Sequence, residues 1–267
     1  MIKVEESSDM QELIKYTHCP LCHDTKMTLI RNENCQNHKR WIAPLSTQMV
    51  WLSCNSCKHI FREGYYTPEA LEILFKGTNP EQQVGYQIEK QRLVSARMID
   101  KVIPYQNHGV WLDVGFGNGS LLFTACEYGF KPIGIDLREE NVTKLQSYGI
   151  TAYKVNLLHV DSDDPISVIS MADVLEHIPY PKEALQKTFE LLGNKGVLFL
   201  SLPNSESIIW KIRDAQNINY CWSEMEHYHN FSRTRLYSLL KECGFIPVKY
   251  GISERYGMGM EIVAIKK

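Results

Sequence analysis

An α/β fold, a doubly wound sheet behind a small cysteine-pinned N-terminal domain, is what this sequence predicts. Three observations predict it. Apolar residues make up 44% and charged residues 22% of the 267-residue chain, the balance of a folded globular protein. Short apolar runs alternate with helical patterns from Gly109 onward, as in sheets covered by helices on both faces. Two C-x-x-C pairs stand upstream of that alternation, in a stretch too poor in apolar residues for a core of its own. The composition shifts place a first domain at residues 1–66, a helical connector at 67–107 and the main domain at 108–267.

The cysteine pairs are Cys19-Pro20-Leu21-Cys22 and Cys54-Asn55-Ser56-Cys57. Two tight C-x-x-C turns bring four thiolates into a tetrahedron, the geometry Zn²⁺ takes with sulfur ligands at ~2.3 Å. Cys19, Cys22, Cys54 and Cys57 are therefore the expected ligands of a structural zinc ion. A redox C-x-x-C would open a helix in a βαβ setting, which this segment lacks. Cys35 with His38 forms an alternative or additional ligand pair. Cys126, Cys221 and Cys243 are isolated and read as buried thiols. Around the pairs, residues 25–30, 41–43 and 48–53 read as small strands.

A short helix opens at Pro68 and runs to Phe75, ending at Gly77 ahead of Asn79-Pro80. Residues 86–102 carry an amphipathic helix, with Ile88, Leu93, Ala96, Ile99 and Val102 largely on one face and Pro104 as its stop. The main domain then reads as strand 110–114, helix 121–128, strand 131–135, helix 139–147 and strand 151–155. It continues with strand 167–171, helix 182–192, strand 196–202, helix 233–243 and strands near 246–252 and 261–266.

Trp111-Leu112-Asp113-Val114-Gly115-Phe116-Gly117-Asn118-Gly119 passes from a strand through a glycine-rich loop into a helix. Glycine is needed where the backbone turns tightly or lies flat against a ligand. The dinucleotide fingerprint G-x-G-x-x-G/A fails at Ser120, which weighs against a nicotinamide-dependent reductase and leaves D-x-G-x-G-x-G. About twenty residues further on, at the spacing of a ribose-binding acid, Asp136 ends the second strand. A carboxylate there accepts both ribose hydroxyls of an adenosine. The alternative for Asp136 is a cap on the helix that begins near Arg138.

Together these residues resemble the class I S-adenosylmethionine-dependent methyltransferases. The resemblance continues through Ala172-Asp173-Val174-Leu175-Glu176-His177-Ile178-Pro179-Tyr180-Pro181, similar to the segment after the fourth strand in the subgroup related to ubiquinone and sugar methyltransferases. Residues 193–204 look like that group's next strand. His227-Tyr228-His229-Asn230-Phe231-Ser232, with Leu236, Leu239-Leu240 and Cys243-Gly244-Phe245, looks like its ending. The four-cysteine segment joined to such a domain also resembles the zinc-containing sugar C-methyltransferases. The likeness implies a Rossmann-like seven-stranded sheet and S-adenosylmethionine as cofactor. It implies Asp113, Gly115, Gly117 and Gly119 at the methionine end, Asp136 at ribose, Asn156 and Leu157 at adenine, and the backbone of Met171 near the cofactor's amino group. Three positions depart from the pattern: Ser167 where the fourth strand usually begins with Asp, Asn156 where an acid commonly lies beside adenine, and Phe116 where a small residue or Cys is common. An amide oxygen at 156 still accepts from the adenine amino group.

Methyl transfer is an in-line displacement at an already electrophilic carbon, so the protein mainly aligns acceptor and methyl. A hydroxyl or acidic-carbon acceptor also needs a base, and the candidates are Glu176, His177 and His227, with His229 behind them. Trp210, Tyr220 and Trp222 line an acceptor pocket or serve packing. The expected function is methylation of oxygen or carbon on a small polar metabolite, a sugar nucleotide being one class. The alternative is methylation of RNA or protein, with the ribbon as the docking element. The net charge is −2, and eight basic residues face seven acidic ones through Tyr66, so the basic excess of an RNA-binding module is missing. The intact glycine loop and Asp136 argue against a non-enzymatic interaction protein. No apolar run reaches the ~18–20 residues of a membrane span. Met1-Ile2-Lys3-Val4-Glu5-Glu6 lacks the apolar stretch of a secretory signal. The expectation is a soluble cytoplasmic protein with a small-molecule acceptor and no nucleic-acid or membrane partner.

Overall fold

Strands that read as unbroken apolar runs are buried on both faces, which favours a parallel sheet sandwiched by helices. The computed structural model describes residues 12–74 and 79–267. The N-terminal part contains β1 (Leu13–Lys15), β2 (Met27–Asn34), β3 (Gln48–Cys54), β4 (Ile60–Arg62), β5 (Gly64–Tyr66), α1 (Pro68–Leu74) and α2 (Ile88–Val102). The main part runs β6 (Val110–Val114), α3 (Ser120–Glu127), β7 (Lys131–Asp136), α4 (Glu139–Ser147), β8 (Thr151–Lys154), β9 (Ile166–Ala172), α5 (Pro181–Leu191) and β10 (Leu192–Pro203). It ends with α6 (Ile208–Ala215), β11 (His229–Asn230), α7 (Arg233–Glu242), β12 (Phe245–Ile252) and β13 (Gly259–Lys266).

Seven strands make the central sheet, in the order β12-β13-β10-β9-β6-β7-β8. The run from β10 to β8 is parallel, and β13 inserts antiparallel between β10 and β12. The chain travels outward from β6 through β7 to β8, then returns to β9 on the other side of β6. That reversal opens a crevice at the carboxyl ends of β6 and β9, where open α/β sheets bind ligands. One face of the sheet buries Trp111, Val168 and Phe199 beneath Met98, Leu122 and Leu145. The other buries Leu112, Ile169 and Leu198 beneath Leu185, Leu236 and Leu239.

A second sheet of four strands has the order β11-β4-β3-β2. Three of its strands come from the cysteine-bearing segment, while β11 comes from far down the chain and pairs His229 with Phe61 and Asn230 with Ile60. Tyr16, Leu21 and Phe61 share one core with Leu175, Phe231 and Leu236. The ribbon is thus packed onto the main sheet at the crevice end.

The expected strands and helices from 110 onward are present to within a few residues. Residues 41–43 are not a strand: Leu45 N–H donates to the Ile42 carbonyl at 3.0 Å, and the Trp41 indole N–H donates to the Leu45 carbonyl at 2.9 Å. Pro44 has no N–H for a ladder, so a turn forms instead. α2 turns Ser95, Met98, Ile99 and Val102 inward and leaves Leu93 63% exposed, because its buried stripe is rotated from the expected face. Cys126 is exposed on α3, while Cys221 and Cys243 are buried as expected. α6 has no counterpart in the sequence reading; the Ser207 hydroxyl caps it by accepting from Trp210 N–H at 3.1 Å. α1 is described through Leu74, and its expected end at Phe75 and Gly77 lies outside the described residues. No helix among the described residues is long and apolar enough to cross a membrane.

Trp51 pins the second sheet to the loop before β11. It is fully buried, its ring meets Trp222 edge-on at 5.5 Å, and its indole N–H donates to the Trp222 carbonyl at 2.8 Å. Trp51→Ala is expected to destabilise the protein by about 3–5 kcal/mol, the usual cost of emptying a buried indole site. Urea titration measures this; an unchanged midpoint would place Trp51 outside the packing.

Candidate active site

The glycine loop leaves β6 with Gly115, Gly117 and Gly119 all at positive φ, so each position favours glycine for its backbone. A Cβ on Gly115 would lie 2.8 Å from Val174, which locks the loop against the chain leaving β9. At Gly117 a Cβ would meet nothing closer than 3.9 Å, so this backbone faces open space. Phe116 turns into the core, where it covers Gly134 of β7; a Cβ on Gly134 would sit 2.6 Å from the Phe116 ring. The bulky residue at 116 therefore leaves the crevice open.

Two acids flank this loop. Asp113 is buried and accepts from the Ser170 hydroxyl at 2.6 Å, and Ser170 in turn accepts from the Trp111 indole at 2.8 Å. Burial pushes its carboxyl up to about 7, against the pull of Ser170 and Arg255. Asp136 ends β7 and is held by Arg138: its Oδ1 accepts from the Arg138 backbone N–H and Nε, and its Oδ2 from the guanidinium at 2.8 Å. Arg138 also donates to Gln82, whose carbonyl accepts from Asn141. A segment preceding α2 thereby lies over the loop. On the adenine side, Asn156 uses its side-chain oxygen to cap a short turn, accepting from Leu158 N–H at 3.0 Å, and Leu157 is buried. The Met171 side chain is fully buried in the core, with only its backbone at the strand end.

Opposite the loop, a turn of 3-10 helix at Leu175–His177 follows β9. Glu176 is 1% exposed, and neither of its oxygens has a hydrogen-bond partner. Burial pushes its carboxyl up to about 8, with His177 opposing. The His177 Nδ1 lies 2.9 Å from the Glu226 carbonyl, and its Nε2 is 3.9 Å from Glu176. Burial disfavours its charge, yet Glu176 and Glu226 outweigh that and hold the imidazole above its ordinary value. The His227 ring packs edge-on against His177 at 4.8 Å, and burial with His177 pushes it down to about 3. The structure brings Glu176, His177 and His227 together. His229 lies elsewhere: its Nε2 donates to the Ile178 carbonyl at 2.9 Å and its Nδ1 faces His59 Nε2 at 3.0 Å, so it ties the ribbon to the turn. Trp210 and Trp222 are buried packing residues, and Tyr220 is exposed beneath Arg213.

Residues 86–250 match the sequence family described as Methyltransferase domain. The chain belongs to that family. Its fold is that of S-adenosylmethionine-dependent methyltransferases. One similar solved structure is the Burkholderia thailandensis 1,6-didemethyltoxoflavin-N1-methyltransferase with bound 1,6-didemethyltoxoflavin and S-adenosylhomocysteine, at a TM-score of 0.57 and 17% identity over 84% of this chain and 97% of that one. A second is the complex of the Haloferax volcanii Trm112 methyltransferase activator with a methyltransferase, at 0.55 and 11% over 67% and 92%. A third is the Synechocystis PCC 6803 magnesium protoporphyrin IX methyltransferase with bound SAH, at 0.54 and 18% over 67% and 84%. No curated protein matches the chain at a significant level.

The candidate site has neighbours that sequence reasoning missed. Asp173, at positive φ, accepts from Arg255 at 3.2 Å. From the ribbon, His38 Nε2 lies 3.2 Å from Glu224, and Arg40 pairs with Glu226. Burial opposes the Glu224 charge, but the hydrogen bond from His38 and the imidazoles of His227 and His177 bring it down to about 2. None of these has a local sequence signal, because each pairing joins distant segments. His38 is thus directed to Glu224, and Cys35 donates to the Ser46 carbonyl, so the two do not meet as a ligand pair.

Cys19, Cys22, Cys54 and Cys57 place their sulfurs within 4.8 Å of one another. Cys22 and Cys54 are 3.4 Å apart, and Cys19 and Cys57 3.7 Å. A tetrahedral zinc tetrathiolate has sulfur–sulfur edges of ~3.8 Å, so the donor set fits the ion. Cys54→Ser is expected to bring bound zinc well below one ion per chain and to lower the unfolding temperature, since structural zinc contributes folding energy directly. Elemental analysis beside a thermal melt checks both; equal metal in variant and wild type would remove Cys54 from the site.

Proposed function

We propose that this methyltransferase moves a methyl group from S-adenosylmethionine to an oxygen or carbon of a small polar acceptor, of which a sugar nucleotide is one class, and that a zinc ion holds its ribbon. One observation supports the reading: the bare backbone of the glycine loop, with Asp113 and Asp136 beside it, and the buried cluster of Glu176, His177 and His227 leave the same end of the paired strands β6 and β9, where Val174 touches Gly115. The donor supplies an electrophilic methyl on a sulfonium, which needs alignment more than activation. Gly115, Gly117 and Gly119 leave room for the methionine end. Asp113, with its costly buried charge, favours a cationic neighbour there. Asp136 accepts from the ribose hydroxyls, Asn156 and Leu157 border the adenine, and the backbone at Met171 lies toward the amino group.

On the acceptor side the chain's own residues handle the proton. A carboxyl raised to about 8 holds its own proton for most of the time at neutral pH, and its ionised fraction, which grows as the pH rises, is a stronger base than an ordinary glutamate. His177 lies beside that carboxyl at 3.9 Å, and His227, neutral at physiological pH, has an unpartnered Nδ1. The ribbon supports a small acceptor: β4 and the His38–Arg40 stretch face inward onto residues 224–230.

Asp136→Ala is expected to weaken S-adenosylmethionine binding by about 1.5–3 kcal/mol, the range for hydrogen bonds to a charged group. Calorimetry with the purified protein reads this, and no uptake of the donor or its demethylated product by the wild type would sink the whole reading. Glu176→Gln is expected to lower kcat by about 10²–10⁴, the usual weight of a positioned proton acceptor, with donor affinity within about twofold of wild type. Turnover unaffected by that change would remove Glu176 from the chemistry.

A further inference from the structure

The cluster of Glu176, His177 and His227 holds buried polar atoms that find no partner in the fold. Glu176, His177 and His227 bring one carboxylate oxygen and two ring nitrogens within 4.8 Å of one another. Glu176 is 1% exposed with both oxygens unpartnered, and His227 is 8% exposed with its Nδ1 unpartnered. A carbonyl only accepts, so the His177 Nδ1 facing the Glu226 carbonyl at 2.9 Å carries the proton. In the neutral ring this leaves the Nε2 lone pair turned toward Glu176, 3.9 Å away. Metal-binding imidazoles show this arrangement, one nitrogen donating to a carbonyl while the other ligates. The surrounding charges are already spoken for: Arg40 pairs with Glu226, His38 with Glu224, and Arg255 with Asp173. Among the described residues, His177 is the one cationic group set against the Glu176 carboxyl.

We propose that Glu176, His177 and His227 hold a divalent metal ion in the acceptor chamber, with its remaining coordination positions open to water or to acceptor oxygens. One carboxylate and two imidazoles suit Mn²⁺, Fe²⁺, Co²⁺ or Zn²⁺, whereas the four thiolates of the ribbon suit zinc. Two ligands follow β9, and the third sits on the loop that β11 fastens to the ribbon, so the set is complete only when the ribbon is docked. The proposal rests on this crevice being the acceptor chamber. With the ion bound, the three side chains become ligands. The acceptor is then a compound bearing a hydroxyl, whose oxygen takes an open position and whose proton leaves to solvent more readily than from the free alcohol.

The test is a Mn²⁺ titration of the full-length protein with its ribbon zinc retained, followed by electron paramagnetic resonance. One Mn²⁺ per chain is expected, with spin-echo modulation from coordinated ¹⁴N. Glu176→Gln and His227→Gln should each raise the Mn²⁺ dissociation constant at least tenfold, while Asp136→Ala leaves it unchanged. No uptake, uptake without nitrogen coupling, or uptake that both variants retain would each overturn the proposal. The nitrogen signal needs no variant, so a misfolded substitution does not blunt the test. Calorimetric binding of S-adenosylmethionine on the same samples reports separately on the methyltransferase reading.

Discussion

Tyr228 is gripped through its backbone from two directions. Its N–H donates to the Glu176 carbonyl at 2.9 Å, and its carbonyl accepts from the Arg62 N–H at 2.8 Å. That clamp joins the turn after β9 to the edge of the ribbon, with one extended stretch of chain between them. The ribbon strands and β11 then form one sheet, so the groups just before Tyr228 are placed by the ribbon as much as by the main domain. Glu226 and His227 sit over Glu176 for this reason. The same packing buries Glu176, and the raised carboxyl follows from that burial.

Burial of so many ionisable groups would be ruinous if they were left unpaired. Around the rim, Arg40–Glu226, His38–Glu224 and Arg255–Asp173 meet that requirement with one partner apiece. His59 and His229 are pushed toward the neutral form by burial and are joined by a hydrogen bond that requires neither to be charged. Glu176 is the exception. Glu226, Asp173 and His227 each leave one buried atom without a partner, but this carboxyl leaves both, which marks it as the group most open to an incoming one.

Sequence alone reaches those parts of the site that are local. The glycine loop is legible because a strand, three glycines at alternate positions and a helix start all lie within ten residues or so of each other, the span over which backbone rules act. The four cysteines are legible because each pair makes its own tight turn. Phe116 is legible only as a departure; its accommodation depends on Gly134, in the neighbouring strand, having no side chain. Arg138 as the holder of Asp136 lies only two residues away, yet the sequence reading placed ribose or a helix cap there and passed over the guanidinium. The pairing of β4 with β11, and with it the burial of Glu176, was beyond reach. Strands of two and three residues carry no periodicity, and the partners lie more than 160 residues apart in the chain.

The crevice therefore has two electrostatic characters, and the difference bears on what each half receives. Near the glycine loop, Asp136 and Asp173 are paired with Arg138 and Arg255, while Asp113 is buried with only the Ser170 hydroxyl as partner among the described residues and is raised by that burial, an environment that rewards a positively charged ligand. A sulfonium with an amino group meets that demand. At the Glu176 end the charged groups are paired with each other and the unpaired atoms are lone-pair donors, which rewards a proton or a hard cation instead. A ribbon acting as an outward docking module would need a free face for a large partner. Within the ribbon, β4, His38 and Arg40 turn onto the loop over this second half, while β2 at the opposite edge of the sheet is largely exposed.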